Sequence, residues 1–186
     1  MELKNLSKAL VYPFLGLLAV SCASNKQSRA PRADAKAEIA GYAPNTQAGT
    51  IWFMNDATKG TRIQGEIIGL LPNRTYAMHV HEYGNCSAPE AAGEHFDPVG
   101  SNTHGTPGAS PGQKHAGDLP NIRTDDNGRA KVDVTSQMLG IGASDFSVIG
   151  KSIVIHASQD DYQTQPAGGA GEKIACGVIQ PVRGDG

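Results

Sequence analysis

The segment Tyr76-Ala77-Met78-His79-Val80-His81-Glu82 places two histidines a single residue apart. In a β-strand, alternate side chains point to the same face, so His79 and His81 would emerge side by side with Val80 turned the other way. Imidazole nitrogens bind copper, zinc, iron and nickel, and a rigid strand can aim two of them at one point. An isolated His-x-His also fits a strand whose polar face happens to carry two histidines, so the interpretation depends on the rest of the chain.

The composition favours a β-protein. The chain has 186 residues, with 23 glycines, 11 prolines and only 5% aromatic residues, and no long segment shows uninterrupted helical periodicity. Such counts fit one domain and a tail, in which many short strands are joined by turns. The formal net charge of −2 argues against a nucleic-acid-binding protein, because a basic surface is the main signature of that class.

The first residues have the features of an export signal. Two lysines precede an apolar run from Ala9 to Val20, which is shorter than the roughly 20 residues of a transmembrane helix. Ala19-Val20-Ser21-Cys22 resembles the lipobox of bacterial lipoproteins, although leucine is preferred where Ala19 stands. Cys22 would then carry a lipid anchor; the alternative is an ordinary secretory signal cleaved just beyond it. We expect residues 1–22 to be a signal peptide and the protein to be periplasmic.

Residues 23–44 are expected to form a flexible tether. From Ala23 to Lys36 the side chains are small, polar or charged, so they can bury almost nothing. A random coil of about 15 to 20 residues spans about 20 to 27 Å, which would hold a domain clear of a membrane surface. The domain itself is expected to comprise residues 45–186.

Beyond this tether, strand-like segments alternate with turn clusters. Apolar runs or alternating patterns predict strands over residues 50–54, 61–70, 76–82, 129–135, 151–156 and 173–179. Clusters of turn-forming residues separate several of them, at 55–60, 71–74 and 125–128. Successive strands joined by tight turns predict an antiparallel sandwich or barrel.

Two irregular segments, at 84–121 and 157–172, interrupt the strand pattern. The first is rich in glycine, proline, asparagine and serine, and a loop of that length needs a source of order other than a core. A metal ion would supply it, since zinc takes tetrahedral sites of imidazole and carboxylate. All six histidines lie on the two-histidine strand, on this loop or at the end of a later strand, at positions 79, 81, 95, 104, 115 and 156. Their concentration favours a metal site over a chance pair.

Five segments of the chain, in order, resemble the copper/zinc superoxide dismutases, in particular the exported bacterial type. They are His79-Val80-His81-Glu82, Gly93-Glu94-His95-Phe96-Asp97-Pro98, His115-Ala116-Gly117-Asp118-Leu119-Pro120, Ile155-His156 and Ala175-Cys176-Gly177-Val178-Ile179. The resemblance implies an all-β fold, an eight-stranded antiparallel Greek-key β-sandwich or barrel with two long loops forming the metal site. It also implies that copper cycles between Cu(II) and Cu(I) and converts superoxide anion to dioxygen and hydrogen peroxide, beside a structural zinc.

Carried over residue by residue, the resemblance implies two metal sites that share one imidazole. The copper ligands would be His79, His81, His95 and His156. The zinc ligands would be His95, His104, His115 and Asp118. His95 would bridge the two metals and act in catalysis, taking up a proton when copper is reduced and returning it as peroxide forms.

Three further residues match positions of the family. Cys86 and Cys176 match its intramolecular disulfide, which suits an exported protein. Asp160 matches an outer carboxylate that links a copper histidine to a zinc histidine and fixes the orientation of both rings. The alternative for Asp160 is a solvated loop acid, because Asp161 stands next to it.

One position departs from the family. Where the family has an arginine three residues before the second disulfide cysteine, beside the copper, this chain has Lys173 with Glu172 next to it. Lysine keeps the charge but loses the planar fork of donors, so we expect Lys173 to attract superoxide yet position it less well. Lys114 and Lys151 are weaker candidates for the same attraction.

Lys173 also defines the rival hypothesis, which is a non-catalytic or weakly active copper- and zinc-binding protein on the same fold.

The segment between Cys86 and His95 is shorter than in many bacterial relatives, so the sequence leaves monomer and homodimer both open.

Overall fold

The computed structural model describes residues 33–56 and 58–182, and the regular structure in these ranges is almost entirely β-strand. In chain order the strands of the described ranges are β1 (Ala35–Gly41), β2 (Ala48–Asp56), β3 (Gly60–Ile68), β4 (Thr75–Tyr76), β5 (Met78–His81), β6 (Ile122–Arg123), β7 (Ala130–Ser136), β8 (Ser152–His156) and β9 (Lys173–Pro181). One short 3₁₀ helix, Pro89–Ala92, lies between β5 and β6. Among the described residues, none belongs to a helix with the length and apolar character needed to cross a membrane.

Seven of these strands form one antiparallel sheet in the order β5-β8-β9-β1-β2-β3-β7. The chain runs through neighbouring strands from β1 to β3, crosses to the opposite edge for β5, and returns to place β7 beside β3. It then crosses again, so that β8 pairs with β5, while β4 and β6 pair separately. The predicted all-β Greek-key architecture is confirmed, with a seven-stranded sheet and a two-stranded one in place of eight strands.

The hydrophobic core lies on one face of the sheet and is set by residue alternation along each strand. Ile51 and Phe53 of β2 are fully buried, as are Ile63 and Ile67 of β3. Full burial of such a side chain contributes about 1.5 to 3 kcal/mol. The same core also receives side chains from the long loop after β5, including Phe96, so the loop is fastened to the sheet by packing.

The predicted tether is wrong over its second half. β1 (Ala35–Gly41) lies inside the sheet, paired with β2 on one side and β9 on the other. Its inward residues Ala35, Ala37 and Ile39 are buried, in the alternation typical of a strand. Two of the three are alanines, whose small apolar surface gives a weak pattern. The rest of the tether up to residue 32, and the predicted signal peptide with Cys22, lie outside the described residues.

Candidate metal centre

Three imidazoles of the site come from two neighbouring strands. β5 carries His79 and His81, and β8, its antiparallel partner, ends at His156. Met78 and Val80 of β5 pack into the core, so the two histidines point to the opposite face, as the strand period predicts. All three histidines are buried, because the two long loops cover that face.

The other edge of β5 pairs with the long loop. Isolated antiparallel bridges join His79 to Asp118 and His81 to His95. The Val80 N–H donates to the Gly117 carbonyl at 3.0 Å, and the Phe96 N–H donates to the Val80 carbonyl at 2.8 Å. These backbone bonds place the predicted loop residues directly beside the two-histidine strand.

The loop is also held by apolar residues that directly follow its site residues. Phe96 follows His95, Ala116 follows His115 and Leu119 follows Asp118, and these three apolar side chains are buried in the core. Gly117 meets the strand so closely that a Cβ there would collide with the Val80 carbonyl oxygen. Packing on one side of the loop therefore aims the polar side chains at the other side.

The first donor group consists entirely of imidazoles. One ring nitrogen from each of its members lies within 4.8 Å of all the others, the members being His79, His81, His95 and His156. The Nε2 atoms of His81 and His156 are 3.2 Å apart. His79 Nδ1 and His95 Nε2 are buried without a hydrogen-bond partner among the described residues. A buried unpaired polar atom costs about 1 to 3 kcal/mol. Four converging imidazole nitrogens fit a copper ion, which would give these atoms a partner.

The second donor group is centred on one carboxylate. Asp118 Oδ1 lies 2.8 Å from His95 Nδ1, 3.0 Å from His104 Nδ1 and 3.2 Å from His115 Nδ1. Its other oxygen, Oδ2, accepts the backbone N–H groups of His115 at 2.9 Å and Gly105 at 3.1 Å. Tetrahedral zinc with bonds of about 2.0 to 2.1 Å holds its ligand atoms about 3.3 Å apart, so this N₃O set fits zinc.

His95 belongs to both donor groups, and Asp160 links them a second time. Asp160 Oδ2 lies 2.8 Å from His79 Nε2, and Asp160 Oδ1 lies 2.8 Å from His104 Nε2. Asp160 is 2% exposed, whereas Asp161 is exposed and accepts hydrogen bonds from Thr164. The structure thus brings Asp160, and not its neighbour, to the two histidines, at the position expected of an orienting carboxylate.

Two side-chain amides that the sequence analysis missed support this linkage. Asn121 donates from Nδ2 to the Asp160 carbonyl and accepts the Asp160 N–H at Oδ1, both at 2.9 Å. Gln165 makes the same pair of bonds with the backbone of His104, both at 2.8 Å. No local pattern marks either amide, because each acts across a large separation in sequence.

Burial and the carboxylates move the pKa values of the site in different directions. Burial lowers the pKa of His95 and that of His156 to about 4, which leaves neutral rings with a free lone pair at pH 7. Burial also disfavours charge on His104, but hydrogen bonds to Asp118 and Asp160 outweigh it and raise its pKa to about 9. Burial raises the pKa of Asp118, but hydrogen bonds from the surrounding imidazoles outweigh this and hold it far below its usual range.

Replacing Gly168 with alanine will weaken zinc binding about 10- to 100-fold, as expected when an outer partner of a ligand is displaced. Gly168 has φ +68°, and its Cβ would collide with Asp160 Oδ1 and lie 2.6 Å from His104 Nε2. Zinc titration against a chelator measures the loss. Gly169→Ala is the matched control, because Gly169 also has a positive φ of +60° but meets neighbours only at ordinary contact distances. Equal losses in both variants would show that backbone strain, and not the collision, is responsible.

Lys173 lies at the edge of the first donor group. Its Nζ donates to the Gly93 carbonyl at 2.6 Å, and the same carbonyl accepts a bond from His81 Nδ1 at 2.9 Å. Burial is the main cause of the lowered pKa of His81, and the charge of Lys173 adds to it. Lys173 also lines a surface cleft together with Glu90 and Glu172, so two acidic residues share the cleft with this cation.

Lys114 and Lys151, the two weaker candidates for attracting the anion, differ in their surroundings. Lys114 is only 3% exposed, and its Nζ donates to the carbonyls of His115 at 3.2 Å and Asp118 at 3.3 Å. The structure therefore places this cation inside the protein, with its donors facing the backbone beneath the second donor group, and its weaker role in attracting the anion stays a prediction. Lys151 Nζ lies 4.8 Å from the centroid of the Phe96 ring.

The predicted disulfide between Cys86 and Cys176 is present, with 5.6 Å between the Cα atoms. It joins the long loop to β9 across 90 residues of sequence. Ala92, Val154 and Tyr42 pack around it in a small separate cluster. The bond fastens the start of the long loop to β9 at Cys176, three residues after Lys173, which begins that strand.

This antiparallel β-fold with two adjoining buried donor groups defines a class of metal-binding β-sandwich, and comparisons identify the family. Residues 47–179 match the family described as copper/zinc superoxide dismutase. Superoxide dismutase [Cu-Zn] 2 of Aquifex aeolicus is 35% identical over 184 residues, which are 96% of this chain and 100% of the relative. Superoxide dismutase [Cu-Zn] of Deinococcus radiodurans is 40% identical over 133 residues, 66% of this chain and 72% of the relative.

Solved structures agree with this result. The clock protein EA4 superposes with a TM-score of 0.71 and 31% identity, covering 81% of this chain and 95% of that one. A double mutant of a SOD-like protein from Bacillus subtilis gives a TM-score of 0.68 and 28% identity, covering 78% and 96%. The chain belongs to the copper/zinc superoxide dismutase family, as its sequence motifs predicted.

Proposed function

We propose that this protein is a superoxide dismutase that converts two superoxide anions and two protons to dioxygen and hydrogen peroxide. The observation that carries the proposal is the pair of adjoining buried donor groups with one shared imidazole. The copper ligands in this proposal are His79, His81, His95 and His156. The zinc ligands are His95, His104, His115 and Asp118. Relatives that are named Cu-Zn superoxide dismutases support the same activity.

Copper, when bound, supplies the one-electron chemistry by alternating between Cu(II) and Cu(I), and zinc supplies a fixed charge and a structural tie. The chain itself orients the imidazole rings of the first donor group, because in each ring the nitrogen that faces away from the metal has a hydrogen-bond partner. His79 Nε2 is held by Asp160, His81 Nδ1 by the Gly93 carbonyl and His156 Nδ1 by the Gly171 carbonyl. These bonds fix which nitrogen of each ring faces the metal.

His95 is the group proposed to hold a proton for the reaction. Its Nδ1 lies against Asp118, and its Nε2 faces the copper group without a hydrogen-bond partner among the described residues. Nε2 can therefore accept a proton and return it to the reduced oxygen species.

Lys173 is proposed to attract the anionic substrate. The whole chain has a net charge of −2, so the attraction must be local. The Gly93 carbonyl holds the Lys173 ammonium and also a ring nitrogen of His81, so the cation has a fixed place beside the copper group. Lysine provides a point charge and lacks the two-pronged donor geometry of arginine.

Superoxide decay measured by pulse radiolysis tests the function directly. We expect the chain from Ala23 onward, loaded with copper and zinc, to react near the diffusion ceiling of about 10⁸ to 10⁹ M⁻¹s⁻¹. The rival is a metal-binding protein with little activity, which the lysine and the two acidic residues of its cleft favour. If the rival is correct, the wild-type protein will react slowly with superoxide although both metals are bound, and Lys173→Arg will restore the rate.

Lys173→Glu will slow the reaction at least about tenfold at low salt and remove its decrease with ionic strength, because local attraction becomes repulsion. The measurement is the same decay rate over a series of salt concentrations. Lys131→Glu is the control: Lys131 is exposed on β7, outside the metal centre, and the change in net charge is identical. If both variants slow the reaction equally, overall charge and not Lys173 steers the substrate.

We further infer that the protein is exported to the periplasm and that Cys22 carries a lipid anchor. The lysines and apolar run before Cys22 support export, and a disulfide suits an oxidising compartment. Mass spectrometry of the mature N-terminus tests the anchor: an unmodified chain beginning beyond Cys22 would exclude it. The same purified material, analysed for mass in solution, would distinguish monomer from homodimer.

A further inference from the structure

Gln165 stands outside both donor groups, yet its side chain contacts the backbone of a member of the second. Its Oε1 accepts the His104 N–H at 2.8 Å, and its Nε2 donates to the His104 carbonyl at 2.8 Å. Two bonds of opposite direction to one residue fix both the position and the rotation of its backbone, as in a hydrogen-bonded pair of an antiparallel sheet.

His104 has no other backbone support in the part of the chain that the structure describes. It lies in the irregular segment between β5 and β6, and no backbone–backbone hydrogen bond reaches its N–H or its carbonyl. Its imidazole is nevertheless held at both nitrogens, with Nδ1 3.0 Å from Asp118 and Nε2 2.8 Å from Asp160. Accurate placement of this ring requires a fixed backbone, and Gln165 provides the bonds that fix it.

We propose that Gln165 is a positioning residue for zinc. The inference rests on the proposed role of His104 as a zinc ligand. Gln165 belongs to the loop after β8, whereas His104 belongs to the loop after β5, so the amide also fastens one loop to the other. It adds to the connections that Asp160 makes between these loops through His104 and Asn121, and it keeps His104 Nδ1 facing Asp118.

Two substitutions separate the hydrogen bonds from charge. Gln165→Glu keeps the shape and the acceptor, but it replaces the donor with an oxygen that faces the His104 carbonyl. Its added negative charge would by itself favour a bound cation, so weaker zinc binding could not come from charge. Gln165→Met removes both hydrogen bonds without adding charge. Gln163→Glu is the control, because Gln163 is exposed on the same loop and, among the described residues, the side-chain hydrogen bonds to the His104 backbone come from Gln165.

The experiment uses the metal-free protein, titrated with Zn²⁺ against a chromophoric chelator, and with Co²⁺ as a spectroscopic probe of tetrahedral geometry. Both Gln165 variants should bind zinc about tenfold more weakly or worse, within the range for outer partners of ligands, and shift the visible Co²⁺ bands. Gln163→Glu should stay within about twofold of wild type, and copper affinity should change by less than about twofold in all variants.

Wild-type zinc affinity in both Gln165 variants would overturn the proposal. So would an equal loss of copper and zinc affinity, which would indicate a general loosening of the loops. A wild-type protein that binds no zinc at all would overturn the zinc assignment itself, and this inference with it. Because wild type is titrated first, the two failures are distinguished by the same data.

Discussion

Replacing His95 with alanine will weaken the binding of copper and of zinc together and abolish superoxide dismutase activity. The Nε2 atom of His95 belongs to the all-imidazole group, and its Nδ1 atom lies 2.8 Å from Asp118 in the second group. One substitution therefore removes a donor from each group. Since the loss of an outer partner already costs about 10- to 100-fold in metal affinity, the loss of the ligand itself should cost more than about 100-fold for each metal.

Two single-site variants complete this test. His81→Ala removes a donor from the first group alone, so copper affinity should fall. Zinc affinity should stay within about threefold of wild type, which is a smaller change than the loss of an outer partner of a ligand causes. His115→Ala should have the reverse effect. Separate titrations of the metal-free proteins with Cu²⁺ and Zn²⁺ measure all three variants. If His95→Ala weakened the binding of only one metal, His95 would not be a shared ligand, and the assignment of two adjoining sites would fail.

The parts of the centre that the sequence predicted are those encoded by short-range geometry. His79 and His81 are two residues apart on β5, so the strand period alone places both rings on one face. The loop histidines and Asp118 were assigned through the resemblance to the family. Three of them stand directly before a residue that packs in the core, as His95 does before Phe96, whereas His104 does not. In these segments, local sequence determines both the packing and the direction of the ligand.

The parts that could not be predicted depend on contacts between distant segments. Asn121 and Asp160 are 39 residues apart, and Gln165 and His104 are 61 apart. Nothing in either local sequence indicates such a pairing. The resemblance pointed to Asp160, but the residues alone did not separate it from Asp161, because the difference depends on which carboxylate the folded loop buries. The burial of Lys114 could not be predicted either: a lysine is normally exposed, but the backbone carbonyls beneath the loop hold its ammonium inside.

The strand β1 shows a third limit. Its inward positions include Ala35 and Ala37, which are completely buried but have too little apolar surface to give a clear alternating pattern. The strand lies between β2 and β9, and these supply the hydrogen bonds on both of its edges. Its conformation is therefore fixed mainly by neighbours that are distant in sequence, whereas β2 and β3 show their own pattern through isoleucine and phenylalanine.

Breaking the disulfide between Cys86 and Cys176 will lower the free energy of unfolding of the metal-free protein by about 4 to 5 kcal/mol. The bond spans 90 residues, and closing a loop of that size removes this much conformational freedom from the unfolded chain. Denaturant unfolding of the chain from Ala23 onward, which leaves Cys22 out, measures the difference. The comparison is between the oxidised wild type, the reduced wild type and a Cys86→Ala/Cys176→Ala double variant.

The reduced wild type separates the effect of the bond from that of the side chains. Both cysteines pack against Ala92 and Val154, so the double variant loses some buried contact in addition to the cross-link. If the cross-link dominates, the reduced wild type and the double variant should agree within about 1 kcal/mol, the cost of a small change in core packing. A reduced wild type as stable as the oxidised one would show that the bond contributes little. Because domains of this size are stable by only about 5 to 15 kcal/mol, a loss of the expected size decides whether the chain folds before it acquires its metals.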